Sequence, residues 1–230
     1  MKKFILIIIL LTGLHTSAQQ LYAEGGWTIS SFDFENSQGL EELDFLQSVT
    51  QNYFGVGYRR PFFAKNLQVD FGFTYNSYGA EGTDTVLNNT LEWDVDYVGF
   101  NLTFDYKLFS VEDLDFFIKS GASLEWIVKG KQTINNQVFD IKNTEEFDET
   151  PLFIRGGAML TYPVSDRSKL FLKYYYGKSL PLENTTNRGT SDLKIESHMI
   201  GLGILMNLAP KKENIEDENP SEENNEQGLK

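Results

Sequence analysis

Apolar and polar residues alternate with period two in eight segments of this chain, the signature of strands that show one face to each of two environments. One row reads Leu21, Ala23, Gly25, Trp27 and Ile29 in the first segment, Phe54, Val56 and Tyr58 in the second, and Leu67, Val69, Phe71, Phe73 and Tyr75 in the third. Taken at every second residue, it continues from Val98 to Tyr106, Phe116 to Trp126, Leu152 to Tyr162, Leu170 to Tyr176 and His198 to Leu208. No Asp, Glu, Lys or Arg stands in that row. The opposite row holds Glu24, Arg59, Asp70, Asp105, Lys119, Glu125, Arg155 and Lys173, four acids against four bases, together with ten glycines and many Ser, Thr and Asn.

A closed sheet of eight strands can place either row inside, and volume decides between them. The apolar row has about forty positions rich in Phe, Leu, Ile, Tyr and Trp, whereas an eight-stranded interior is just filled by ordinary side chains. Glycines and balanced charges suit that narrow space better. The predicted fold is therefore all-β: an eight-stranded antiparallel up-and-down transmembrane β-barrel with its apolar row toward lipid.

Two regularities agree with this. Aromatic residues close the apolar row at alternating ends, as Trp27, Tyr58, Tyr75, Tyr106, Trp126, Tyr162, Tyr174 and Tyr176, which predicts two aromatic girdles. Connections alternate as well. Short ones run from Pro61 to Asn66, Lys107 to Asp115 and Pro163 to Lys169, and longer polar ones include Ser31 to Gln51 and Val128 to Pro151. Short periplasmic turns and long extracellular loops produce that order and put both chain ends in the periplasm.

Outside the strands, residues 1–18 combine Lys2 and Lys3, a short apolar run and Thr16-Ser17-Ala18, the layout of a cleavable signal peptide. Residues 19–208 form the predicted barrel. Residues 209–230 are acidic and nearly free of apolar side chains, which predicts a disordered periplasmic tail. No stretch after the signal approaches the roughly 18 apolar residues of a membrane helix. The chain has no cysteine, so lipid anchoring at cysteine, disulfides and thiolate metal sites are excluded. Its net charge is −13, and loss of the two signal lysines takes it to −15, which argues against nucleic-acid binding.

With Gly55-Val-Gly-Tyr58, Phe71-Gly-Phe73, Ile118-Lys-Ser-Gly-Ala122 and Gly201-Leu-Gly-Ile204 in view, residues 20–208 resemble the small outer-membrane β-barrels. These include the OmpA and OmpX transmembrane barrels and the PorT-like barrels associated with type IX secretion. The resemblance implies export, insertion by the barrel-assembly machinery and residence in the outer membrane among its lipid and lipopolysaccharide. The last strand departs from the pattern by ending Met206-Asn-Leu208, and the tail is too short for a peptidoglycan-binding domain. The resemblance implies no single activity.

Candidate chemistry is sparse. After the signal, His198 is the only histidine, and its neighbour Ser197 must point to the other face of a strand, so the two cannot form a nucleophile–base pair. No catalytic residue, cofactor or metal ligand set is expected. The eight inward charges read either as a salt-bridged plug or as a permeation path, and equal numbers of each sign suit a plug. Glu125 and Arg155 share inward parity near one rim and are expected to pair. Glu92, Asp94 and Asp96 share the outward parity above the fourth apolar row, where carboxylates suit divalent cations or plain solvation. The expected function is a non-enzymatic structural or interaction barrel, accessory to secretion or envelope assembly through a protein partner. A narrow channel is the alternative, and a lipid-modifying enzyme stands behind both.

Overall fold

A computed structural model of the chain describes residues 19–36, 46–84, 89–142, 150–186 and 189–208. The signal segment 1–18 and the tail 209–230 lie outside the described residues. Ten strands follow in order: β1 (Gln20–Asn36), β2 (Gln47–Phe62), β3 (Ala64–Asp84), β4 (Asn89–Val111), β5 (Leu114–Ile134), β6 (Gln137–Asp140), β7 (Leu152–Ser165), β8 (Ser168–Ser179), β9 (Leu182–Thr186) and β10 (Gly189–Asn207). Eight of them form a ring of antiparallel neighbours, β1-β2-β3-β4-β5-β7-β8-β10, which β1 and β10 close by pairing from Gln20↔Asn207 to Asn36↔Ser191. Closure satisfies the edges that an open sheet would leave exposed. The two short strands are hairpin arms, β6 on β5 and β9 on β10.

The short connections are tighter than the sequence suggests. β2 and β3 meet around Phe63 (φ 56°), and β4 and β5 meet at Glu112 (φ 53°) and Asp113, so most of Pro61–Asn66 and Lys107–Asp115 is strand. Beside these turns lie both described chain ends, where the Leu208 N–H donates to the Gln19 carbonyl at 2.9 Å. This end is termed the lower rim.

At the upper end the strands run well past the apolar rows. β3 continues nine residues beyond Tyr75 to Asp84, and β4 begins at Asn89, nine before Val98. Much of what reads as loop in Ser31–Gln51 and Val128–Pro151 is therefore strand. β5 turns into β6 through Asn135 (φ 49°) and Asn136 (φ 67°), a two-residue hairpin whose positive φ angles asparagine tolerates. β5 pairs β7 only up to Leu124↔Leu152 and then continues with β6. β2 leaves β3 between Ser48 and Tyr53, where Ser30 Oγ of β1 takes the Gly79 N–H at 2.8 Å and donates to its carbonyl at 3.0 Å. Above the ring, two groups of strands of this one sheet, β2 to β6 and β1, β10 and β9, turn their inner faces into a common core.

Candidate functional site: the closed interior and its upper extension

Outward positions of the lower region are apolar and exposed: Phe54, Val56, Phe73, Phe100, Leu102, Ile118, Ile154, Leu172 and Leu202 among them. On β4 this belt runs from Val98 to Tyr106, about 20 Å in height for strands tilted by roughly 40°. An unbroken apolar surface of that extent does not suit water. Trp27, Tyr75, Trp126, Tyr174 and Tyr176 lie along its upper edge, and Tyr58, Tyr106 and Tyr162 along its lower edge. His198 stands outside, beside the rings of Tyr174 and Tyr176, with its Nδ1 2.8 Å from the Tyr174 hydroxyl. Ser197 points inward and is buried.

The eight inward charges are all buried and all paired. Low in the barrel, Arg59 Nη1 lies 2.9 Å from Asp105 and Arg59 Nε 3.6 Å from Asp70, while Lys119 contacts Asp70 at 2.9 Å and also Asp105. This quartet rests on an apolar floor of Phe117, Met159, Phe171 and Leu205, with the Arg59 guanidinium 4.7 Å above the Phe117 ring. Higher up, Lys173 contacts Glu24 at 2.5 Å and sits 5.2 Å and 5.0 Å from the rings of Tyr53 and Tyr175.

Above that layer, Arg155 Nη2 reaches Glu125 Oε1 at 2.7 Å. Glu125 also accepts hydrogen bonds from Asn76 (2.8 Å), Ser123 (2.9 Å) and Tyr78 (2.9 Å), so its charge is met from three strands. Arg155 donates to Tyr78 at 2.6 Å and to Ser123, and stacks 4.7 Å over Phe153. Each of these ions has an opposite charge beside it, as burial requires, since an orphaned ion costs several kcal/mol; Asp105 Oδ1 and Arg155 Nε find no hydrogen-bond partner.

Glycines leave room for these side chains. A Cβ on Gly72 would strike the Tyr22 hydroxyl, and one on Gly201 would strike the Tyr53 hydroxyl. Tyr22, Tyr53 and Tyr175 are inward aromatics that the sequence reading missed, although they share parity with the inward charges. Between the charges remains a cavity of about 40 Å³, space for a few waters at most.

In the upper extension the same strands reverse their chemistry. Inward positions become apolar and pack as one core: Phe32, Tyr78, Ala80, Trp93, Val95, Tyr97, Leu193 and Ile195, joined by Ile141 and Phe153. Outward positions become charged. Asp94 and Asp96 flank Lys129 at 3.4 Å and 3.2 Å, and Ser77 donates to Asp96 at 2.6 Å. A lysine thus stands where the carboxylate spacing suggested a cation. Partial burial would raise the Asp96 carboxyl, but the bonds from Ser77, Tyr75 and Lys129 hold it below its ordinary pKa. Lys178 likewise bridges Glu196 and, at 3.9 Å, Asp33.

No family model matches the chain, and no curated protein sequence matches it significantly. Among solved structures, it is similar to Neisserial surface protein A (11% identity over 82% of this chain and 96% of that one, TM-score 0.47). It is also similar to the outer membrane protein OprG from Pseudomonas aeruginosa (13%, 83% and 97%, 0.46) and to Ail, the attachment invasion locus protein of Yersinia pestis (13%, 83% and 100%, 0.38). The closed ring of eight antiparallel strands makes the fold an up-and-down β-barrel on its own pairing. These likenesses concern fold alone, and what the chain does must be argued from its own residues.

Proposed function

We propose that this chain is a non-enzymatic outer-membrane barrel, closed to solutes, that acts as a structural or interaction protein by holding its upper extension at the cell surface. In this reading the signal peptide directs export, the barrel-assembly machinery inserts the ring, both termini face the periplasm, and the function is accessory to secretion or envelope assembly through a protein partner. The observation that carries it is the filling of the interior in series. An apolar floor, a four-charge cluster, the Lys173–Glu24 pair, the Glu125–Arg155 cluster and the apolar core of the extension follow one another along the barrel axis. Among the described residues, the fixed pairing leaves no run of free charges for an ion to follow.

A channel would need a water-filled path, and a cavity of about 40 Å³ is not one. An enzyme of histidine type would need His198 to face a nucleophile, whereas its close partners are two outward tyrosines. The test is planar-bilayer conductance of the refolded chain. Insertion without current is the expected result, and steady unitary currents from the intact protein would replace this reading with the channel.

A further inference from the structure

Immediately above Trp126, the outer wall of β5 carries a feature that the lipid belt does not require. The register between β4 and β5 shifts by one residue after Tyr97↔Ile127, so Val128 and Lys129 are exposed side by side. Bulges of this kind re-aim side chains. β6 folds back beside the same wall, with Val138 opposite Thr133 and Asp140 opposite Lys131. Together they form an open groove of about 320 Å³ with Val128 and Val138 as its apolar part and Lys129, Lys131, Lys142 and a single carboxylate, Asp140, as its charged part.

The charges in the groove are not equivalent. Lys129 is held by Asp94 and Asp96. Asp140 turns an oxygen to the backbone N–H of Lys142 at 2.9 Å. Among the described residues, neither Lys131 nor Lys142 has a carboxylate within ion-pair distance, in a chain whose net charge is −13. Two strands along the ring, on β8, the lysine Lys178 is taken up by Glu196 and Asp33.

We propose that this groove seats the phosphorylated headgroup of an outer-leaflet glycolipid, with Lys131 and Lys142 on phosphate and Val128 and Val138 against the apolar root of the molecule. The inference rests on the outer-membrane reading above. Height supports it: Lys129 lies three residues past the girdle residue Trp126, about 10 Å along a tilted strand, where headgroups begin. Continuity supports it too, because Trp126 and Val128 extend the lipid-facing surface into the groove. Charge complementarity selects phosphate over a neutral headgroup.

The experiment uses the full chain in detergent, mixed with lipid A or with lipid A stripped of its phosphates, and counts retained lipid by native mass spectrometry. Heat-modifiable gel migration is checked in each sample. The intact protein should retain lipid A in preference to the dephosphorylated form. The K131Q/K142Q double variant should lose that retention roughly five- to thirtyfold, the range for removing one to two lysine–phosphate contacts. K178Q should leave it unchanged. Equal retention of both lipids, no change in the double variant, an equal loss with K178Q, or displacement by millimolar inorganic phosphate would each overturn this site while leaving the barrel standing. A chain that never shows a heat-modifiable form would overturn the barrel reading and this site with it.

Discussion

The belt and the upper extension are built from the same strands with the same side-chain parity, yet they bury opposite chemistry. On β4, Leu102 and Phe104 face outward and Asn101 and Thr103 inward, whereas a few residues higher Asp94 and Asp96 face outward and Val95 and Tyr97 inward. Strand geometry cannot produce this reversal, because the alternation is unbroken on β4 from Glu92 to Tyr106. The solvent does. Where the wall meets lipid, polar groups have to be satisfied inside, and where it meets water, apolar groups have to be hidden inside. The Glu125–Arg155 cluster sits at the junction, with Tyr78 belonging to both regions as a hydrogen-bond donor below and a core residue above.

The largest effects should come from breaking each interior by its own kind of damage. Arg155→Ala strands Glu125 in a dry site and should cost on the order of 3–5 kcal/mol, read by denaturant titration of the barrel in lipid vesicles. Trp93→Ala should cost about 3–5 kcal/mol within the extension. That loss should show as faster proteolysis of the upper strands while heat-modifiable migration is kept. If Trp93→Ala abolished the gel shift, the two regions would be one cooperative unit.

A smaller contrast probes the outer wall. Phe100→Lys puts a charge on the lipid face and should cost about 2–4 kcal/mol near mid-bilayer. Glu92→Lys, at the same parity on the same strand, should change stability by no more than about 0.5 kcal/mol. Vesicle-folding titrations of both variants measure the difference, and equal costs would mean that the belt extends to Glu92.

The smallest effect concerns the lower rim. Partial burial would raise the Asp115 carboxyl, but Lys107, Lys169 and Ser110 bond to it and hold its pKa at about 2. A folded pKa below the unfolded value of about 3.9 stabilises the fold above that pH. The contribution is lost as pH falls from near 4 toward 2. Asp115→Asn should lower stability at neutral pH and flatten the profile between pH 4 and 2, so that the variant and the unsubstituted protein converge at the acid end.

Much of the belt was legible in the sequence because alternation is a geometric consequence of the strand. The row from Val98 to Tyr106 keeps one parity throughout, and the eight inward charges follow from it. The upper extension was not legible, because its outward rows turn polar at Asp33, Ser77, Glu81 and Asp94 and so imitate loop. The usable signal was the complementary row, Trp93, Val95 and Tyr97 on one strand and Leu193 and Ile195 on another, together with Asn135-Asn136 as a hairpin turn. Of the interior contacts, Glu125 with Arg155 could be anticipated because they lie on neighbouring strands. Asn76 and Tyr78 could not, since β3 is separated from β5 by β4 and reaches Glu125 over Gly99 rather than along a ladder.

The reversal of chemistry along a continuous strand is tested most directly by spin labels on β4. With no native cysteine, single cysteines can be placed at each position from Glu92 to Phe104 in the vesicle-inserted protein. Collision with oxygen dissolved in lipid and with a water-soluble nickel complex then reports the surroundings of each label. Outward positions 98, 100, 102 and 104 should meet oxygen, outward positions 92, 94 and 96 should meet nickel, and inward positions should meet neither. Oxygen contact at 92–96, or nickel contact at the inward positions, would contradict the two-region account.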